Sequence, residues 1–135
     1  MNKNLIYVLR IIQNGITSGL KTVTVTDKIS KSNLCLKVLI SLKKEGFIKS
    51  FQYTLLKKNI IKFEINLRYL ATNKNVIKNI TLISKPGKRV YSSIKTLWNI
   101  KTNTNIFFLS TSKGIITDKD ARLKNLSGEI LFCIN

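Results

Sequence analysis

The sequence predicts an α+β protein. Residues 1–70 read as an N-terminal mixed α/β lobe, helix-strand-helix-strand-strand, and residues 71–135 as a mostly antiparallel β lobe with one or two short helices. Three observations carry this. Two segments in the first third of the chain space their apolar residues as one face of a helix. From Phe47 onward, apolar residues come in short strand-length runs separated by turn residues. With 135 residues and 44% hydrophobic content, the chain is long enough to bury a core of its own.

Residues 4–14 read as the first helix, with Leu5, Val8, Leu9 and Ile12 on one face and Gly15 as the stop. "KTVTVT" (21–26) alternates as a half-buried strand does. Ser32 is placed to cap a second helix over 33–45, its apolar face formed by Leu34, Val38, Leu39 and Leu42. Lys37, Ser41 and Lys44 are expected to point outward, and Gly46 to end the helix. Two strands follow, 47–56 and 60–70, joined through Lys57, Lys58 and Asn59. The polar stretch "ATNKN" (71–75) is taken as the lobe boundary. "VIKNITLIS" (76–84) and "RVYSS" (89–93) flank "KPGK", a tight turn. A short helix is expected near 94–100, strands at 105–110 and 129–135, and a helix to about Lys124 opened by the capping box Thr117-Asp118-Lys119-Asp120.

Charge narrows the function. Lys and Arg number 24 against 6 Asp and Glu, a net +18. The excess is 13 to 3 through Leu70 and 11 to 3 after it, so it covers both lobes. A folded domain so charged repels itself unless a polyanion neutralises it. Nucleic acid is the leading partner, with non-specific binding or an anionic membrane surface as the alternative. A membrane-surface protein needs a helix with a strongly cationic face opposite an apolar one, and neither main helix has it. Histidine is absent, which removes imidazole acid–base chemistry and histidine metal sites. The carboxylates are isolated apart from Asp118 and Asp120, whose positions suit a helix cap and its dipole better than an acid/base couple. An RNA-modifying enzyme is therefore a weak third reading. No enzyme, cofactor, metal site or small-molecule substrate is expected. Cys35 and Cys133 sit among apolar neighbours without C-x-x-C spacing and read as buried thiols in a reducing compartment rather than a disulfide.

Two clusters carry candidate chemistry. "STSKG" (110–114) places three hydroxyls, a lysine and a glycine at the end of an apolar strand. Alternation sends Ser110 and Ser112 to one side and Thr111 to the other. Hydroxyls there can read 2′-OH groups and base edges in a shallow RNA groove, with Lys113 on phosphate. An ordinary turn with solvated hydroxyls is the plainer alternative. Lys85, Lys88 and Arg89 surround Pro86-Gly87, and Tyr91 follows with a ring able to stack on a base, or to lie in the sheet.

On these residues the chain resembles small-subunit ribosomal protein S-eight in its bacterial-type form. "SKPGKRVY" (84–91), "STSKGIITD" (110–118), "DAR" (120–122) and "SGEILFC" (127–133) resemble that family's C-terminal signature, and "NG" (14–15), "VTV" (23–25) and "EGFIKSF" (45–51) follow its order upstream. The resemblance implies a two-lobe α+β fold and binding to a helical junction in the central domain of small-subunit rRNA. It also implies a part in subunit assembly beside neighbouring ribosomal proteins. By position it makes Ser110, Thr111, Ser112, Lys113 and Gly114 the main rRNA-reading loop, and Lys85, Pro86, Gly87, Lys88, Arg89 and Tyr91 a basic turn. Arg122, Glu129, Arg10, Asn14 and Ser32 complete the implied contacts. Ile11 and Gln13 stand where that family usually carries arginines, and Asn33 and Cys35 where it carries lysines. This drift, with Ile, Asn and Lys making up 54 of the 135 residues, resembles a mitochondrial ribosomal protein. A start at the first helix leaves no room for a presequence, so an organelle-encoded chain is expected, with a plastid or bacterial cytoplasm as the alternative.

Overall fold

The computed structural model describes residues 3–28, 33–70, 76–93 and 105–135. The polar stretch 71–75, the short helix expected near 94–100 and the capping position Ser32 lie outside the described residues. The chain forms two compact units, Lys3–Lys78 and Asn79–Asn135.

The first unit contains α1 (Lys3–Thr17), β1 (Thr22–Lys28), α2 (Asn33–Lys44), β2 (Ile48–Lys57) and β3 (Ile60–Leu67). The strands form an antiparallel sheet in the order β1-β3-β2. Period-two alternation sends Ile61, Phe63, Ile65 and Leu67 of β3 inward, with Val23 and Val25 of β1. Leu5, Val8, Leu9, Ile12 and Ile16 of α1 complete this core with Val38, Leu39 and Leu42 of α2.

Helix α1 runs past Gly15, contrary to the expected stop. A Cβ at Gly15 would overlap Val23 Cγ1, so this glycine serves close packing of helix on strand rather than termination. The helix ends at Gly19, φ 74°, where Gly19 N–H donates to Ile16 O and Leu20 N–H to Gly15 O. That is a Schellman motif. Gly46, φ 81°, closes α2 the same way, with Gly46 N–H on Lys43 O and Phe47 N–H on Leu42 O. The buried stripe of α2 runs one position later than expected: Cys35 is fully buried, Leu34 is half-buried and Ser41 is buried rather than outward. Cys35, Val38, Leu39 and Leu42 have the i, i+3, i+4, i+7 spacing once cysteine is counted as a hydrophobe.

The second unit holds β4 (Ile80–Leu82), β5 (Tyr91–Ser92), β6 (Ile106–Thr111), β7 (Gly114–Thr117), α3 (Asp118–Lys124) and β8 (Gly128–Ile134). Its antiparallel sheet has the order β4-β8-β6-β7, and β5 also pairs with β8. Leu109, Ile116, Ala121 and Ile130 form a core that packs α3 on the sheet. Of the expected strand 76–84, the segment Ile80–Leu82 forms the strand, with Ile80 opposite Ile134 and Leu82 opposite Phe132 of β8. Thr117 caps α3 by accepting the Asp120 N–H, and Asn125 ends it in the left-handed region, φ 53°. Leu126 N–H then donates to Ala121 O, a third Schellman closure. Cys35 and Cys133 are both buried and not joined in a disulfide, and burial raises the Cys133 thiol pKa.

Candidate nucleic-acid interface

Strands β4 and β5 are one interrupted strand. Both run antiparallel to β8, β4 against Phe132–Ile134 and β5 against Gly128–Glu129. Between them the chain leaves the sheet at Ile83 and returns at Val90. Both Ile83 N–H and Ser84 N–H donate to Leu131 O, and Ile130 N–H donates to Val90 O. The excursion is closed at its foot by Ser84, whose fully buried hydroxyl donates to Ile130 O at 2.5 Å and accepts Val90 N–H at 3.0 Å. At its tip Lys85 and Lys88 exchange two backbone hydrogen bonds of 2.9 Å around Pro86-Gly87, the tight turn the sequence predicts. Lys85, Pro86, Gly87, Lys88 and Arg89 are all exposed.

The hydroxyl run sits on the neighbouring hairpin. Thr111 pairs with Gly114, so Ser112 and Lys113 form a two-residue turn, with Gly114 at φ 109°. Alternation therefore lapses at Ser112, which lies in the turn rather than across from Thr111. The Thr111 hydroxyl works inward: it donates to Gly114 O at 2.9 Å and accepts Lys113 N–H at 3.3 Å, fixing the turn. Ser112 and Lys113 are left exposed at the tip, with Ser110 half-buried behind them.

The register joins the two clusters. Glu129 pairs with Ser110 of β6 on one side and Tyr91 of β5 on the other. Directly opposed residues project from the same face, so Tyr91, Glu129 and Ser110 form one cross-strand row roughly 10 Å long. Tyr91 is 69% exposed, which leaves its ring face open for stacking. Glu129 is nearly covered, and Arg89 Nη1 lies 3.8 Å from its carboxylate. A carboxylate in the middle of a basic surface repels phosphate, so it is suited to accept from a 2′-OH or an amino group of a base.

Arg122 stands apart from this row. Its Nη1 is 3.0 Å from Asp118 Oδ2, one turn back along α3, while Asp118 Oδ1 accepts Phe107 N–H at 3.4 Å. The pair ties α3 to β6. Arg10 and Asn14 lie one turn apart on the exposed side of α1 in the first unit. Two supporting residues escaped the sequence reading. Ser84 was signalled only by its place at the foot of the basic turn. Gly128 is required because a Cβ there would overlap Ser110 O, and a glycine opening a strand is itself the mark of close backbone approach. Among the described residues no helix is long and apolar enough to cross a membrane, and no group of His, Cys, Asp and Glu could hold a metal ion.

The family described as "Ribosomal protein S8" matches residues 4–134. Proteins named "Small ribosomal subunit protein uS8" are similar along most of the chain. That of Acholeplasma laidlawii is 44% identical over 100 residues, 74% of this chain and 75% of its own. That of Rickettsia bellii is 38% identical over 131 residues, 97% of this chain and 96% of its own. That of Onion yellows phytoplasma is 42% identical over 103 residues, 76% and 77%.

Proposed function

The chain belongs to the ribosomal protein S8 family, and from that premise we propose that it is a non-catalytic structural constituent of the small ribosomal subunit that reads a helical rRNA junction with its C-terminal unit. The observation that carries the proposal is the row Tyr91–Glu129–Ser110, bounded by the Ser112-Lys113 tip and the Lys85–Arg89 excursion. One stacking ring, one acceptor and two hydroxyls fit base edges and 2′-OH groups, while the lysines fit the flanking phosphates. The junction belongs to the central domain of the rRNA on this reading, and neighbouring small-subunit proteins complete the set of partners. The +18 charge supplies the sequence-independent part of the affinity.

Filter binding across a salt series tests this, with the rRNA junction and a scrambled duplex of equal length. The reading requires a preference of ~10³ or more for the junction that persists as salt rises. Equal affinities that collapse together would reduce the protein to a non-specific polycation. For its location we propose a mitochondrial ribosome, supported by the Lys, Asn and Ile bias and by Ile11, Gln13, Asn33 and Cys35 standing in the N-terminal lobe. The bacterial relatives favour a bacterial cytoplasm instead. Sedimentation with organellar small subunits in fractionated source cells supports the first; a source without organelles overturns it.

A further inference from the structure

The sheet of the first unit is covered unevenly. Along the row Val25–Phe63–Tyr53 the exposure is 2%, 0% and 57%. In the next row Ile61 is 6% exposed and its partner Leu55 is 65%. Both edge strands turn apolar residues to the helix-covered face; Val23 and Val25 of β1 and Ile48 of β2 are buried, whereas Tyr53 and Leu55 farther along β2 are exposed. Strand β2 is left with a solvent-facing apolar side and, among the described residues, with no strand on its outer edge.

That edge is regular where it matters. Register shifts fall between Ile48 and Ser50 and between Leu55 and Lys57, so an unbroken pleat runs from Ser50 to Leu55. Phe51, Tyr53 and Leu55 share one side of it; Ser50, Gln52 and Thr54 share the other. Lys49 stands at one end and Lys57 and Lys58 at the other, with no acidic residue from Ile48 to Ile60. Natural edges are usually blunted by charge or by bulges within the strand, and an apolar, regular edge invites pairing.

We propose that the β2 edge from Ser50 to Leu55 receives an extended segment of another small-subunit protein as a fourth strand. The incoming segment spans about six residues, places apolar side chains opposite Tyr53 and Leu55, and carries Asp or Glu at its ends to meet Lys49 and Lys57–Lys58. A second copy of this chain is disfavoured, because antiparallel self-pairing would set Lys49 of one strand beside Lys57 and Lys58 of the other. RNA would satisfy the lysines but offers nothing to Leu55.

The inference rests on the ribosomal reading, and its test separates the two. A photoreactive benzoylphenylalanine replaces Tyr53, and the protein is assembled into small subunits, purified and irradiated. The expected product is a cross-link to one ribosomal protein, mapping to an apolar stretch with flanking carboxylates. Cross-linking to rRNA, to a second copy, or to nothing overturns the proposal. A second variant, Leu55→Glu, changes an exposed side chain and so spares the fold. It should lower the yield of that neighbour in assembled subunits by about tenfold while junction binding stays at the wild-type level; an unchanged yield also overturns the proposal. If the unsubstituted protein fails to enter small subunits at all, the ribosomal reading falls first.

Discussion

Among the described residues, the unit Lys3–Lys78 buries aliphatic and aromatic side chains, with Ser41 as its one buried polar residue, whereas the shorter unit Asn79–Asn135 buries Ser84, Thr117 and Asp118. The hydrogen-bonded polar side chains of the first unit lie toward the surface. Asn66 accepts from Thr22 and donates to Ser50, and Gln52 donates to Glu64 on the outer side of the sheet. In the second unit the hydroxyl of Ser84 holds an excursion, that of Thr117 caps a helix, and the carboxylate of Asp118 joins that helix to β6. A core of hydrocarbon fixes how elements pack but is tolerant of small shifts, whereas a buried hydroxyl with two named partners fixes a loop to a position. On the proposed function, the difference separates a scaffold from a reading surface.

The largest test of this contrast is Gly128→Ala. The new Cβ would strike the Ser110 carbonyl, a backbone atom that cannot rotate away, so β6 and β8 must separate at the row that carries the site. A loss of about 3 kcal/mol is expected in urea unfolding, together with loss of junction preference. Wild-type stability would mean that the strand spacing there is soft and the row is not held as described.

Ser84→Ala comes next. It strips partners from the Val90 N–H and the Ile130 carbonyl in a buried setting, at a cost of about 2 kcal/mol. Amide exchange at Val90 should quicken more than exchange in α1 or α2. Uniform quickening across the protein would show that Ser84 supports general stability rather than the excursion.

These anchors were the part of the molecule least legible in the sequence. Turns and caps announce themselves through local chemistry: Pro86-Gly87, Gly46 and the Thr117 capping box all sit where the residues said. Gly15 misled because a glycine that admits a neighbouring strand looks, in one dimension, like a glycine that ends a helix. The pairing of β5 with β8, the closure by Ser84 and the approach at Gly128 each depend on residues far apart in the chain. The hydroxyl run was legible as a cluster, but not the division of labour within it, which assigns Thr111 to the turn and leaves Ser112 outward.

Ser112→Ala sharpens that division. The side chain is exposed and the turn is held by Thr111, so the fold should not respond. Binding to the rRNA junction should weaken by about 1 kcal/mol, roughly fivefold, through an unmet partner on the RNA, with scrambled duplex unaffected. Equal loss on both would move Ser112 from reading to general contact.

The smallest effect belongs to the first unit. Arg10 is exposed on α1 of the first unit. If that unit adds charge rather than recognition, Arg10→Ala removes at most one phosphate contact. The slope of log K against log salt should then fall by a little under one, on junction and scrambled RNA alike, and the ratio of their affinities should stay constant. A fall in that ratio would place sequence reading on α1 and erase the contrast between the units. An unchanged slope on both RNAs would instead put Arg10 beyond the reach of the RNA, leaving α1 wholly to the packing of the first unit.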